Sequence, residues 1–417
     1  MEKRIEIMAP VGSYESLRAA IQAGAGSIYF GVGKLNMRAR SAHNFTLADL
    51  EKIASIASEH QVRSYLTVNT IVFDNELSTL HQLVTAAKKA GISAVIASDI
   101  AAIQMAREAG IEVHISTQVN ISNIESVRFY SQFADVIVLA REMNLGRIWE
   151  INRQINEEQI LGPGGQPVRL ELFAHGALCM AVSGKCYLSL HEMNASANRG
   201  SCLQICRRGY TAKEKESGYE LDIENEYIMS PKDLKTIHFL DKILNAGISV
   251  LKIEGRARSP EYVQTVVACY REAVESYLSG DYTPEKIRDW DERLASVFNR
   301  GFWDGYYLGQ RLGEWSKQYG SAASKRKIYI GKCLNYFSNL KVAEFKIETQ
   351  DLHVGDAVFI IGPTTGVLET RVSEIRVELE KTLTAPKGSR CSLPVPIKTR
   401  RADKLYKIVD AAEVKKQ

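Results

Sequence analysis

No uninterrupted apolar run in this 417-residue chain approaches the ~18 residues that a transmembrane helix requires, and mean hydropathy is −0.17. Charge of one sign is also in short supply, since the net charge is only +4. Several catalytic signatures are absent. His191-Glu192 is followed by Asn194 and Ala195 with no second His, which removes the His-Glu-x-x-His zinc-peptidase pattern. Ser183 lies in Met180-Ala-Val-Ser-Gly-Lys and lacks the flanking glycines of a nucleophile elbow. Gly31-Val32-Gly33 is followed by Asn36 where a dinucleotide fingerprint needs its third Gly. The Cys-x3-Cys-x2-Cys spacing of radical-SAM enzymes does not occur.

What is present is ordinary for a globular protein: 45% hydrophobic and 24% charged residues, which excludes a largely disordered, fibrous or coiled-coil chain. Residues 1–10 read as a charged strand and not as a signal peptide. The expected location is therefore the cytoplasm, where thiols stay reduced and disulfides are the least favoured reading of the cysteines.

β-rich runs at 5–9, 27–31, 63–70, 94–99, 112–118, 135–140, 169–175, 227–230 and 249–254 alternate with helical stretches. Ala-Gly-Ala or Ala-Gly-Ile recurs at 23–25, 90–92, 109–111 and 246–248, each time ending a helix and starting a strand. This βα rhythm predicts a parallel sheet, and nine candidate strands suit a closed TIM-like (β/α)8 barrel with one irregularity. A doubly wound open sheet is the rival. After about residue 325 helices give way to short strands separated by turns such as Val354-Gly355-Asp356, which predicts a small β-barrel domain over 326–417. Residues 303–318, aromatic and punctuated by glycine, read as a linker that docks between the two. From Lys325 onward there are 18 Lys and Arg against 11 Asp and Glu, a balance of +7, which leaves −3 for the rest. A basic module on a near-neutral body fits a polyanion partner, and equally a well-solvated surface.

In a (β/α)8 barrel the chemistry gathers at the carboxyl ends of the strands. Those ends carry Arg38 and Arg40, Asn69, Gln118, Arg141, His175, and Lys252 with Glu254 and Arg256. A ring rich in guanidinium and amide groups suits an anionic, carboxylated or phosphorylated ligand, although polar residues also stand at strand ends merely as caps. Cys179, Cys186, Cys202 and Cys206 follow strand seven in the spacing Cys-x6-Cys-x15-Cys-x3-Cys. Only the last pair has zinc-knuckle spacing, so the wide gaps favour an iron–sulfur cubane, with zinc as the alternative. Glu171 and His175, beside the first cysteine, are candidates for proton transfer. Basic residues Lys398, Arg400, Arg401, Lys404 and Lys407 punctuate the last strands of the second domain.

The stretch from Glu171 to Arg207, with Ser230-Pro-Lys-Asp233-Leu, Leu251-Lys-Ile-Glu-Gly-Arg256, Arg258-Ser-Pro-Glu-Tyr262 and Arg400-Arg-Ala-Asp-Lys-Leu-Tyr406, resembles peptidase family U32, the collagenase-like proteins. The resemblance covers nearly the whole chain. It implies a barrel holding a [4Fe–4S] cluster on Cys179, Cys186, Cys202 and Cys206. It also implies oxygen-independent hydroxylation, which family branches carry out on a tRNA wobble uridine, ribosomal RNA or ubiquinone precursors. Length and the C-terminal module place the chain nearest the tRNA branch, which forms 5-hydroxyuridine with prephenate as hydroxyl source. On that expectation Arg38, Arg141 and Arg256 hold a small dicarboxylate such as prephenate or an RNA phosphate. The basic run 398–407 grips tRNA, and an electron-donor protein is a candidate further partner. The alternatives are ribosomal RNA hydroxylation and a true peptidase or collagenase activity.

Overall fold

The computed structural model describes residues 5–210, 227, 229–309 and 313–414. Eight parallel strands close into a barrel: β1 (Glu6–Pro10), β2 (Ser27–Gly31), β3 (Arg63–Val68), β4 (Ala94–Ala97), β5 (Glu112–Ile115), β6 (Val136–Val138), β7 (Arg169–Gly176) and β9 (Val250–Ile253). Closure comes from β9, which pairs in parallel with both β7 and β1; Val250 stands opposite Glu171 on one side and Glu6 on the other. The open-sheet rival is thereby excluded, because such a sheet leaves two edges. Helices α1 (Tyr14–Gln22), α2 (Leu50–Glu59), α3 (Leu77–Lys89), α4 (Ile100–Glu108), α5 (Ile124–Ser131) and α6 (Leu145–Glu157) alternate with the strands. The repeated Ala-Gly pairs end their helices as expected, with Gly24, Gly91, Gly110 and Gly247 all at positive φ.

One expected strand is corrected. Of residues 227–230, residue 228 lies outside the described set and the others form no strand. The ninth element is instead β8 (Asp233–Lys235), which runs antiparallel to the end of β7 and carries β10 (Phe302–Trp303) on its other side. The segment after β10 docks on the barrel as expected: Tyr307 donates to the Phe173 carbonyl at 2.9 Å.

The barrel has two apolar layers. Met8, Tyr29, Tyr65, Ala94, Ile96, Val136 and Val250 fill its interior. A larger layer packs between strands and helices and includes Leu17, Phe30, Leu66, Val95 and Ile253. At the amino ends of the odd strands the interior closes with an ionic plug. Glu6 accepts from Tyr65 at 2.6 Å and pairs with Arg169 at 2.9 Å, while Glu112 pairs with Arg63 at 2.5 Å and His114 at 2.9 Å. The plug leaves the carboxyl end as the face available for chemistry.

Short helices α7 (Leu188–Met193), in the cysteine loop, and α8 (Leu240–Asn245), before β9, complete the barrel, and helices α9 (Pro260–Leu278) and α10 (Pro284–Ser296) lead to the second domain, whose strands β11 (Lys325–Phe337) to β20 (Lys404–Asp410) are antiparallel. Its main sheet has the order β15 (Gly366–Arg371), β14 (Ala357–Gly362), β20, β11, β12 (Val342–Ile347), β19 (Arg390–Pro394), β16 (Ile375–Val377) and β17 (Glu380–Thr382), with a separate ribbon of β13 (Leu352–His353) and β18 (Thr384–Ala385). Residues from both ends of that order, Val358 and Ile360 on β14 and Ile375 on β16, share one core with Phe345 and Leu405. The sheet therefore curls around itself in the manner of a small barrel.

Candidate functional site

At the carboxyl end of the barrel lies a cavity of about 550 Å³, lined among others by Arg38, Arg141, Lys252, Arg256 and all four clustered cysteines. The sequence-predicted ring is thus largely brought together.

Glu254, directly after β9, organises one wall. Its Oε1 receives Arg38 Nη2 at 2.6 Å and Nε at 3.1 Å, and its Oε2 accepts from Tyr29 at 3.0 Å. Burial opposes the charged form of Glu254, but Arg38, Arg256 and Arg141 outweigh it and hold its carboxyl down to about 2. Arg256 is 5% exposed and donates to Thr67 Oγ1 at 3.1 Å. Burial pushes its guanidinium down to about 10, still charged at neutral pH. The space it fills exists because position 31 is glycine: a Cβ there would stand 2.4 Å from Arg256 Nη1.

Deeper in the barrel, Lys252 Nζ meets Glu171 Oε1 at 2.8 Å, with side chains 7% and 0% exposed. The other oxygen, Glu171 Oε2, is buried without a hydrogen-bond partner. Arg141 lies 3.9 Å above the Phe173 ring, and its Nε and Nη1 are buried without partners. Unsatisfied guanidinium donors at a cavity wall are what an anionic ligand would complete. Asn69 links the facing wall, donating to Ser116 Oγ at 3.1 Å and Gln118 Oε1 at 3.3 Å.

Two expectations are corrected. His175 does not line the cavity. It is walled in by Tyr262, Tyr270 and Phe302, and burial, helped by Lys235 and Arg258, lowers it to about 3. A neutral, enclosed imidazole cannot exchange protons with a ligand in the mouth. Arg40 is exposed and outside the cavity, because its loop turns outward where its backbone N–H reaches the Gly200 carbonyl at 3.1 Å. Of the basic run, Lys407 is tied to Asp356 at 2.8 Å, whereas Lys398, Arg400, Arg401 and Lys404 are exposed.

The cysteine loop leaves β7 and is pinned by Arg207, whose guanidinium donates to the carbonyls of Pro231 at 2.5 Å and Leu178 at 2.6 Å. All four thiols are free. Burial pushes those of Cys202 and Cys206 up, and both feel the charges of Cys179 and Cys186, which places the four within electrostatic reach of one another. Among the described residues no three His, Cys, Asp or Glu side chains converge on a single metal-sized point; the four thiols border one cavity instead. They are the donors here with the chemistry to hold a soft metal group.

Sequence reasoning missed Tyr29 and Arg300, whose roles depend on partners far away in the chain. It also gave no role to Arg207, Asp233 and Arg258, although all three stand in the quoted motifs. Asp233 joins Arg258 and Arg300 beside the mouth.

The chain is 64% identical over 402 residues to a collagenase of Porphyromonas gingivalis W83, covering 96% of this chain and 97% of that one. It is 30% identical over 390 residues to a tRNA hydroxylation protein of Bacillus subtilis, covering 91% and 89%. It is 33% identical over 318 residues to a 23S rRNA 5-hydroxycytidine synthase of Escherichia coli, covering 75% of this chain and 46% of that one. Residues 12–317 match the peptidase family U32 as a whole. On sequence match and shared length alike, the chain belongs to peptidase family U32.

Proposed function

We propose that this chain hydroxylates RNA without molecular oxygen, acting on a tRNA wobble uridine to give 5-hydroxyuridine, with a small dicarboxylate such as prephenate as hydroxyl source. The observation that carries the reading is one cavity bordered by four free thiols and by Arg38, Arg141, Lys252 and Arg256. Relatives named for tRNA and ribosomal RNA hydroxylation support the reaction class. An iron–sulfur cluster on Cys179, Cys186, Cys202 and Cys206 would supply electron transfer at the cavity wall, between the base that is oxidised and the hydroxyl source that is reduced. Arg141, with two unpartnered donors, takes the carboxylate or phosphate of the ligand. Arg256 is held at the rim by Thr67, and Glu254 keeps Arg38 in place. Glu171 and Lys252 set the charge of the cavity floor.

The peptidase reading, which the collagenase-named relative keeps in view, needs a nucleophile beside a working base. His175, the base a Cys–His pair would use, is enclosed and neutral. The test is mass spectrometry of nucleosides from bulk tRNA and ribosomal RNA of a strain lacking the chain. Loss of a hydroxylated tRNA pyrimidine, restored by the wild type but not by Arg141→Ala, is expected. Unchanged nucleosides in both RNA pools, together with gelatin cleavage by the purified protein, would overturn the reading.

A further inference from the structure

We propose that a second basic cleft, between the barrel and the C-terminal sheet, holds the sugar–phosphate backbone of the RNA whose base enters the mouth. This rests on the RNA reading above and adds a surface to it. The cleft measures about 420 Å³ and is lined by Lys232, Arg300, Lys317 and Arg326 together with small residues of the connecting segment; no carboxylate lines it. Arg300 borders both the cleft and the mouth cavity, so one guanidinium joins the two spaces.

The charge there is not neutralised internally. Asp233, 1% exposed, faces two guanidiniums, Arg258 at 3.2 Å and Arg300 at 3.4 Å, which leaves one positive charge over. Lys232 is engaged with Glu314 at 2.5 Å. Lys317 and Arg326 are exposed and, among the described residues, neither forms an ion pair. The walls are fixed in advance by backbone hydrogen bonds. The Ala322 N–H donates to the Asn299 carbonyl at 2.7 Å, Ser324 to Ala295 at 3.0 Å, and Ala411 to Ser324 at 2.8 Å. A preformed groove whose lining keeps a positive balance after Glu314 and Asp233 are counted, opening beside a reactive cavity, suits a phosphodiester strand. The exposed run at Lys398, Arg400, Arg401 and Lys404 borders neither space.

The test uses the full-length protein and a fluorescein-labelled unmodified tRNA transcript, with anisotropy titrations at several salt concentrations. Lys317→Ala with Arg326→Ala should weaken binding by about tenfold or more and lower the slope of log K against log salt by roughly two, one per lost phosphate contact. Arg400→Ala with Arg401→Ala should change both less. The two cleft side chains are exposed, so melting should be unaltered, and Lys317→Glu with Arg326→Glu should weaken binding further. Wild-type affinity and slope in the cleft variants, or a larger loss in the 400/401 variant, would overturn the cleft. If the wild type binds and modifies tRNA while the cleft variants match it, the cleft alone fails. If the wild type binds no tRNA, the cleft and the RNA reading fail together.

Discussion

Lys252 and Glu171 neutralise each other where neither can reach bulk water. Removing one partner leaves a buried charge, so Lys252→Met should destabilise the protein by about 3–5 kcal/mol in denaturant unfolding. Adding Glu171→Gln should recover most of that loss, since the remaining group is neutral; a double variant no better than the single would refute the pairing argument. Acid should act through depressed pKa values. Glu254 and Glu112 each fall from 4.5 to about 2 on folding. Each therefore contributes stability that is full above about pH 4.5 and lost as pH falls through about 2, on the order of 3 kcal/mol apiece. His175, lowered from 6.5 to about 3, adds an earlier loss that starts below about pH 6.5. Melting temperature should thus decline in two stages on acidification, and His175→Phe should remove the first; a single stage below pH 4.5 in the wild type would contradict this. Gly31→Ala should leave a folded barrel but displace Arg256, and should cut nucleoside formation at least tenfold at unchanged metal content.

At the level of elements, the barrel was legible because four Ala-Gly junctions mark where helix yields to strand and short β-rich runs recur between the helical stretches. β8 was not, because Asp-Leu-Lys carries no periodicity; its place is fixed by pairing with β7 and β10. Strand-end cations predicted most of the mouth because a closed parallel barrel sends all its carboxyl ends to one face. Orientation within a loop is not written in spacing, which is why Arg40 points outward while Arg38 and Arg141 face in; nor is the register shift in β7 between Phe173 and His175, beyond which His175 sits behind aromatic rings. Nor does spacing show that Arg38 and Glu254, 216 positions apart, are one unit. The cysteine loop gives a direct measurement. Anaerobically purified protein should carry iron and sulfide at about four each per chain. Cys179→Ala, Cys186→Ala, Cys202→Ala and Cys206→Ala should each abolish it, and Cys269→Ala, in the core beside α10, should not. Zinc at one per chain with full activity would rule the cluster out.

The whole molecule is held by a specific joint. Ala19 of α1 packs with Ile361 and Val367 of the sheet domain, flanked by Phe359 and Tyr406. Gln22 donates to the Thr365 carbonyl at 2.9 Å and accepts from the Val367 N–H at 3.2 Å, and Gln264 of α9 donates to the Val367 carbonyl at 3.0 Å. Lys327 reaches Glu261 at 2.7 Å. A chain cut before Lys325 should keep a closed barrel, since the barrel core is separate from the sheet core, and the buried apolar residue it uncovers on α1 is the small Ala19, beside the polar Gln22. Light scattering should show the shortened chain monomeric, since one alanine is no apolar patch. In the full chain Ala19→Glu should set a charge against Ile361 and Val367, loosen the joint and lower the melting temperature. A full-length Ala19→Glu variant that melts like the wild type would show that the joint holds nothing.

That joint also sets what position 19 can be. A small side chain there lets the sheet come close to α1, so a position that an isolated helix would leave free is fixed by residues far along the chain.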